Sequence, residues 1–128
     1  MSTPATGQVA DPDGVASTLR AGVTANLAAE RALVEQHARV VAASEGSNAD
    51  DEHDPEGSTI AFERQQVDAL LRQVRATGEQ LRASLVALED GTYGTCESCG
   101  ARIDPERLAA RPQAGTCIGC ARRAAARR

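Results

Sequence analysis

The sequence predicts a mainly α-helical protein in which an antiparallel helical hairpin, a coiled coil, is followed by a small module built around four cysteines. Two long stretches repeat apolar residues at helical spacing, a polar segment with Gly and Pro separates them, and two Cys-x-x-Cys pairs lie near the C-terminus. The chain has 128 residues, of which only 2% are aromatic. A single domain of this kind has little core, so we expect long helices and a cross-link or metal to stabilise it. A deep substrate pocket is not expected.

The first helix is predicted from residue 15 to residue 43. Residues 1–14 combine Pro, Gly, Ser, Thr and Asp, which is typical of a disordered lead. From residue 15 to residue 43 the chain has no Pro, and apolar residues recur at steps of four and seven. The apolar face consists of Leu19, Val23, Leu27, Val34 and Val41, with Leu33 and Val40 beside them. This spacing is that of one face of a helix.

The second helix carries a heptad pattern and is predicted to end near residue 90. Its a and d positions are Ile60, Val67, Leu71, Val74, Leu81, Leu85 and Leu88. Arg64 and Gly78 occupy the remaining seam positions, and Gly91 is well placed as a C-terminal cap. Each helix has one narrow apolar stripe and the connection is short, so residues 15–90 are predicted to form an antiparallel hairpin. A homodimeric coiled coil is the alternative, although we expect a monomer.

The predicted tip of the hairpin, residues 44–58, is acidic. It contains six acids and no Arg: Glu45, Asp50, Asp51, Glu52, Asp54 and Glu56. This contributes to an uneven charge distribution. Residues 1–95 carry 7 Arg against 15 acids, a net of −8, and residues 96–128 carry 7 Arg against 3 acids, a net of +4. Such asymmetry favours orientation on a charged partner, with solvated helix faces as the simpler interpretation.

The four cysteines follow the pattern C-x2-C-x17-C-x2-C, at Cys96, Cys99, Cys117 and Cys120. A two-residue gap lets the backbone curl so that both thiolates of a pair face one tetrahedral zinc ion, and Gly100 directly follows the first pair. Redox pairs or disulfides are weaker interpretations. We predict one structural zinc in a finger spanning residues 91–120, followed by a basic tail at 121–128. Four cysteine ligands leave no open coordination position, so we do not expect an enzyme.

Residues 91–120, GTYGTCESCGARIDPERLAARPQAGTCIGC, closely resemble the zinc finger of the DksA/TraR family of bacterial transcription regulators. Besides the cysteines, the resemblance runs through Gly91, Tyr93, Gly94, Gly100, Ile103, Arg107, Leu108, Ala110 and Pro112. The resemblance implies a regulator that binds RNA polymerase directly and makes no sequence-specific DNA contact. It further implies that the coiled coil enters the secondary channel of the polymerase and brings acidic tip residues near the catalytic centre, in some members together with ppGpp.

The candidate tip residues are Asp51, Asp54 and Glu56. Better-known members of the family carry an Asp-x-x-Asp-x-Ala pattern at the tip. In this sequence Asp51 and Asp54 have the spacing of the two acids, and Glu56 stands where Ala is expected. The acids are therefore candidates for the regulatory contact, with a solvated turn as the alternative.

Three other functions remain as alternatives. A nucleic-acid-binding protein would use the tail arginines, Arg122, Arg123, Arg127 and Arg128. A coiled-coil adaptor would use the hairpin alone. An enzyme is the least expected, because His37 and His53 have no nucleophile near them in the sequence. The N-terminus has no secretory pattern and no apolar run reaches membrane-spanning length, so we predict a cytoplasmic protein.

Overall fold

The computed structural model of the protein describes residues 11–46 and 55–128. These residues form four helices: α1 (Pro12–Gly46), α2 (Pro55–Asp90), α3 (Pro105–Ala110) and α4 (Ile118–Ala126). The remaining described backbone contains a single isolated antiparallel bridge, between Thr95 and Arg102. Within these described ranges no helix is both long enough and apolar enough to cross a membrane.

Both long helices extend further than the apolar pattern predicts. The side chain of Asp11 accepts a 2.9 Å hydrogen bond from the backbone N–H of Gly14, which caps α1, and Pro12 is well suited to the first turn because it lacks an N–H. At the predicted tip, residues 44–46 still belong to α1 and residues 55–58 already belong to α2. Pro55 is the first residue of α2, a position at which its missing N–H needs no partner.

The predicted tip acids fall mostly outside the described part of the chain. Asp51 and Asp54 lie in the segment 47–54, between the two described ranges. Glu56 lies in the first turn of α2, and its side chain is not described. The roles assigned to these three acids therefore stay predictions.

α2 ends at Gly91 through a backbone motif that requires a left-handed residue. Gly91 has a φ of 77°, a conformation that costs glycine little because it has no Cβ. The N–H of Thr92 donates to the carbonyl of Ala87 at 2.9 Å, and the N–H of Gly91 donates to that of Leu88 at 3.4 Å. This is a Schellman motif, and it satisfies carbonyls that the helix end leaves free.

α1 and α2 pack as an antiparallel hairpin, and the chain divides into two compact units. One unit is Ala25–Ala76, and the other combines Thr77–Arg128 with the chain up to Thr24. In the first unit a cluster of three buried residues joins the helices: Val40, Val67 and Leu71. In the second unit the corresponding cluster is Leu19, Leu81 and Tyr93. We call these the Val67 cluster and the Leu19 cluster.

The buried face of α1 differs from the predicted one. Leu27 and Val34 were predicted to face α2, but 42% and 45% of their surfaces are exposed. A series of buried and half-buried positions alternates by four and three residues along the helix: Leu19, Val23, Asn26, Glu30, Leu33, His37 and Val40. This is heptad spacing, and three of its members are polar. The prediction followed apolar residues and therefore included the exposed Leu27 and Val34 and omitted the three polar residues. It was right for the others: Leu19, Val23, Leu33, Val40 and Val41.

Each of the three polar residues in this face of α1 contacts α2 directly. The amide nitrogen of Asn26 donates to the backbone carbonyl of Val74 at 2.8 Å. A carboxylate oxygen of Glu30 lies 3.0 Å from Nε of Arg75, and Nε2 of His37 lies 3.0 Å from a carboxylate oxygen of Asp68. The contacts between the helices in the unit Ala25–Ala76 are thus partly polar.

Candidate metal centre

The first cysteine pair lies on a tight backbone turn. Gly100 has a φ of 76°, and its N–H donates to the carbonyl of Cys96 at 2.9 Å. The N–H of Cys96 in turn donates to the carbonyl of Ala101 at 2.7 Å. The turn brings the thiols of Cys96 and Cys99 to the same side, as the position of Gly100 in the sequence predicts.

The second cysteine pair lies at the start of α4. Cys117 is the N-cap residue, and its sulfur accepts the backbone N–H of Cys120 at 3.5 Å. The chain that returns to this point is fixed by Arg107 of α3, whose Nε donates to the carbonyl of Thr116 at 2.9 Å. Asp104 caps α3 by accepting the N–H of Glu106 at 2.9 Å.

The four sulfur atoms converge on one point. All four lie within 4.8 Å of one another, and those of Cys99 and Cys117 are 3.8 Å apart. In a tetrahedral site with zinc–sulfur bonds of about 2.3 Å, the sulfurs are about 3.8 Å apart. Cys96 is buried and Cys99 is exposed. The geometry therefore fits one tetrahedral metal ion whose coordination is completed by protein.

The electrostatics of the cluster favour a cation. Backbone N–H groups of Cys117 and then Cys99 lower the pKa of the Cys96 thiol to about 6. The pKa of Cys120 is raised to about 11, chiefly because of its contact with the side chain of Cys117. One thiol thus ionises readily while a neighbour retains its proton, since adjacent thiolates repel each other. A divalent cation relieves this repulsion and displaces the remaining protons.

Arg123 contacts the cysteine cluster, which the sequence analysis did not predict. Its Nη2 lies 3.1 Å from the sulfur of Cys120, one helical turn earlier in α4. Arg123 belongs to the segment predicted to be a basic tail, and residues 121–126 of that segment are part of α4. Spacing of three residues after a cysteine on a predicted helix was the signal that could have identified it.

Tyr93 joins the finger to the two long helices. Its ring is buried in the Leu19 cluster, against which Leu108 of α3 also packs. The hydroxyl of Tyr93 donates to the carbonyl of Pro112 at 2.7 Å, and burial raises the pKa of this phenol. The hydroxyl therefore stays protonated and available as a donor.

Comparison with known proteins identifies the finger. Residues 91–124 match the prokaryotic dksA/traR C4-type zinc finger family. The RNA polymerase-binding transcription factor DksA of Escherichia coli K12 is 45% identical over 42 residues, which cover 33% of this chain and 28% of that protein. The uncharacterized protein YteA of Bacillus subtilis is 41% identical over 66 residues, covering 52% of this chain and 28% of that protein. The matched segments thus span little more than a quarter of these relatives.

The fold has a counterpart among solved structures. The transcription factor DksA2 from Pseudomonas aeruginosa superposes with a TM-score of 0.67 over 94% of this chain and 87% of that one, at 23% identity. The predicted resemblance is confirmed for the cysteine module, which matches the DksA/TraR C4-type zinc finger, and the helical hairpin shares its fold with DksA2.

Proposed function

We propose that this protein is a zinc-binding transcription regulator that acts directly on bacterial RNA polymerase. The observation that carries the proposal is the combination of a DksA/TraR-type finger at residues 91–124 with a DksA-like fold over 94% of the chain. Relatives that match this chain over 42 residues are named RNA polymerase-binding transcription factors. A generic zinc finger attached to another fold would match in the finger alone.

One zinc ion is held by Cys96, Cys99, Cys117 and Cys120. When bound, it supplies folding free energy, because the segment it organises has little core of its own: neither α3 nor α4 contains a buried residue. With four cysteine ligands it has no position for a substrate or reactive water, so its role is structural. The protein is proposed to be a cytoplasmic monomer without enzyme activity.

The helical hairpin is proposed to enter the secondary channel of the polymerase with Asp51, Asp54 and Glu56 at its tip. The polymerase centre holds Mg²⁺ and basic residues, and charges at close range in a narrow channel are weakly screened. Carboxylates delivered there alter initiation without contacting a DNA sequence. The stem and the finger supply most of the binding surface in this mechanism.

The experiment separates binding from regulation. The zinc-loaded protein and the triple variant Asp51→Asn, Asp54→Asn, Glu56→Gln are compared for affinity to purified polymerase and for their effect on in vitro transcription. The variant removes three charges while retaining side-chain size. We expect binding to change by only a few-fold and the effect on transcription to be largely lost. The control variant, Glu63→Gln, Glu79→Gln, Glu89→Gln, removes three exposed charges from α2 outside the tip. Compared at equal occupancy of the polymerase, it should keep the effect on transcription that the tip variant loses.

Each remaining outcome has a defined meaning. Full regulation by the tip variant overturns the tip mechanism and leaves polymerase binding in place. Failure of the wild-type protein to bind polymerase overturns the proposal as a whole. Retention on DNA without polymerase, lost as salt rises, supports the alternative in which the arginines of residues 121–128 bind phosphates.

A further inference from the structure

The sulfur atoms of the cysteine cluster differ in the donors that face them. Cys117 accepts a hydrogen bond from the backbone N–H of Cys120. The sulfurs of Cys99 and Cys117 face each other at 3.8 Å. At Cys120 the donor is a charged side chain, the guanidinium of Arg123, with Nη2 and Sγ 3.1 Å apart.

Helix α4 places the guanidinium of Arg123 next to the sulfur of Cys120. Arg123 and Cys120 are separated by three residues in α4, so their side chains lie on the same face of the helix. The other guanidinium nitrogen, Nη1, lies 3.9 Å from the position that a Cβ on Gly119 would occupy. The neighbouring Arg122 is exposed on the same helix and has the same charge, which makes it a matched control.

Charge determines what such a contact does when a metal is bound. Four thiolates and one divalent ion carry a net charge of −2, and metal coordination keeps the sulfur of Cys120 in the charged form that a guanidinium donor favours. A fixed positive charge next to one sulfur therefore stabilises the metal-bound state relative to the metal-free state. Hydrogen bonds between charged groups are about twice as strong as neutral ones, and they orient the ligand.

We propose that Arg123 is a positioning residue of the zinc centre, which it stabilises by a charge-assisted hydrogen bond to the Cys120 thiolate. This inference rests on the proposed coordination of zinc by the four cysteines. It concerns metal retention and makes no use of the polymerase.

The test compares zinc retention in the full-length wild-type protein and in the variants R123Q, R123K, R122Q and R122K. Zinc content is measured first by elemental analysis. Transfer of zinc to a chromogenic chelator then gives the release rate and the relative affinity. We expect R123Q to bind zinc about tenfold more weakly than wild type, a loss typical of groups that contact metal ligands. R123K keeps the charge but not the planar donor fork, so we expect partial rescue. Both Arg122 variants should match wild type.

Two further measurements distinguish this role from general support of the fold. The difference between R123Q and wild type should shrink at high salt, because Arg123 is exposed and its charge is screened. In protein loaded with cobalt instead of zinc, the sulfur-to-metal charge-transfer band should shift in R123Q and stay unchanged in R122Q.

Failure of the zinc site and failure of the role of Arg123 give different results in this test. Wild-type protein without zinc overturns the proposed zinc site itself. Wild-type protein with one zinc, together with equal retention by R123Q and R122Q, overturns the role of Arg123 alone. If R123Q does not fold, R123K is compared with R122K, and equal retention by these two also overturns it.

Discussion

The finger and the helix pair of Ala25–Ala76 achieve order by different means. In the helix pair the Val67 cluster is buried between α1 and α2, and polar contacts from Asn26, Glu30 and His37 add direct links. In the finger, α3 and α4 contain no buried residue. Its buried atoms are concentrated at Cys96 and Ile103, and at Tyr93 where it meets the long helices.

In a chain with only 2% aromatic residues, the two regions are thus stabilised by different interactions. Long helices bury enough Val and Leu to pair without a cofactor, because each turn adds contacts along the seam. A short module with glycine turns and two small helices cannot do so, and a metal takes the place of the missing core. The two regions should therefore respond to different perturbations.

Loss of one cysteine is the perturbation with the largest expected effect. Cys99→Ser removes one of four sulfur ligands, and structural zinc in finger peptides contributes on the order of 10 kcal/mol at pH 7. We expect the variant to lose zinc and the amide protection of residues 92–120, while the amides of Ala25–Ala76 remain protected. Hydrogen exchange monitored by mass spectrometry measures both segments in one experiment.

The control for this variant is Ser98→Ala at the adjacent position, which keeps all four sulfurs and should keep zinc. Protection of residues 92–120 that survives a chelator contradicts the metal dependence of the finger. Loss of protection in both regions together contradicts the distinction between them.

A charge placed in the apolar seam should destabilise the helix pair of Ala25–Ala76 and leave the finger intact. Leu71 lies in the Val67 cluster, and Leu71→Asp both removes its packing and buries a carboxylate. Lost packing alone costs about 3 kcal/mol, and the unpaired charge adds to it. We expect a lower melting temperature and loss of protection in Ala25–Ala76, with zinc content unchanged.

Leu70 provides the control for Leu71, since the two residues are adjacent but differ in burial. Leu70 is 47% exposed and Leu71 only 7%, so Leu70→Asp should have a small effect on the melting temperature. Equal destabilisation by the two variants is incompatible with the described register of α2.

Much of this organisation could be predicted from sequence because the signals are periodic. Heptad spacing identified Val67, Leu71 and Leu81 as seam residues of α2, and all three are buried. The cysteine spacing predicted the cluster, since two short Cys-x-x-Cys gaps restrict where the thiols point. In α1 the seam also has heptad spacing, but it includes polar residues, so a pattern of apolar residues alone did not identify all of its members. Hydrophobicity placed Leu27 in it, whereas the seven-residue interval from Leu19 leads to Asn26.

Two contacts could not be predicted in this way, because each depends on the three-dimensional path of the chain. The hydrogen bond from Tyr93 to Pro112 depends on how the finger turns back toward the helices. The contact of Arg123 with Cys120 depends on α4 continuing past the second cysteine pair, into residues that composition alone assigns to a tail. Each of these contacts occurs only once, so neither produces a periodic pattern in the sequence.

Asn26 offers a way to sharpen the comparison by stabilising the helix pair. Its Oδ1 is buried and has no hydrogen-bond partner within residues 11–46 and 55–128, and unsatisfied buried polar atoms are costly. Asn26→Leu removes that atom and fills the seam with an apolar side chain. We expect a gain of about 1–2 kcal/mol in the free energy of unfolding, measured by urea denaturation. Zinc affinity should not change.

The matched substitution for Asn26 is Leu27→Ala on the exposed neighbour, which should change the free energy of unfolding little. A destabilised Asn26→Leu would mean that the bond to the carbonyl of Val74 outweighs the cost of the unsatisfied oxygen. In that case the polar contacts would be the main support of this unit.

Tyr93→Phe should have the smallest effect, and it tests the residue at which the finger meets the helices. The substitution keeps the ring in the Leu19 cluster but removes the donor to the carbonyl of Pro112. A lost hydrogen bond of this kind costs about 1 kcal/mol. Because the ring still packs, we expect the melting temperature to fall slightly and zinc to remain bound, while amide exchange near Pro112 becomes faster. Tyr93→Ala also removes the ring and should cost about 3 kcal/mol or more. If Phe and Ala at this position are equally destabilising, the hydroxyl rather than the ring holds the finger to the helices, and the packing role assigned to Tyr93 is wrong.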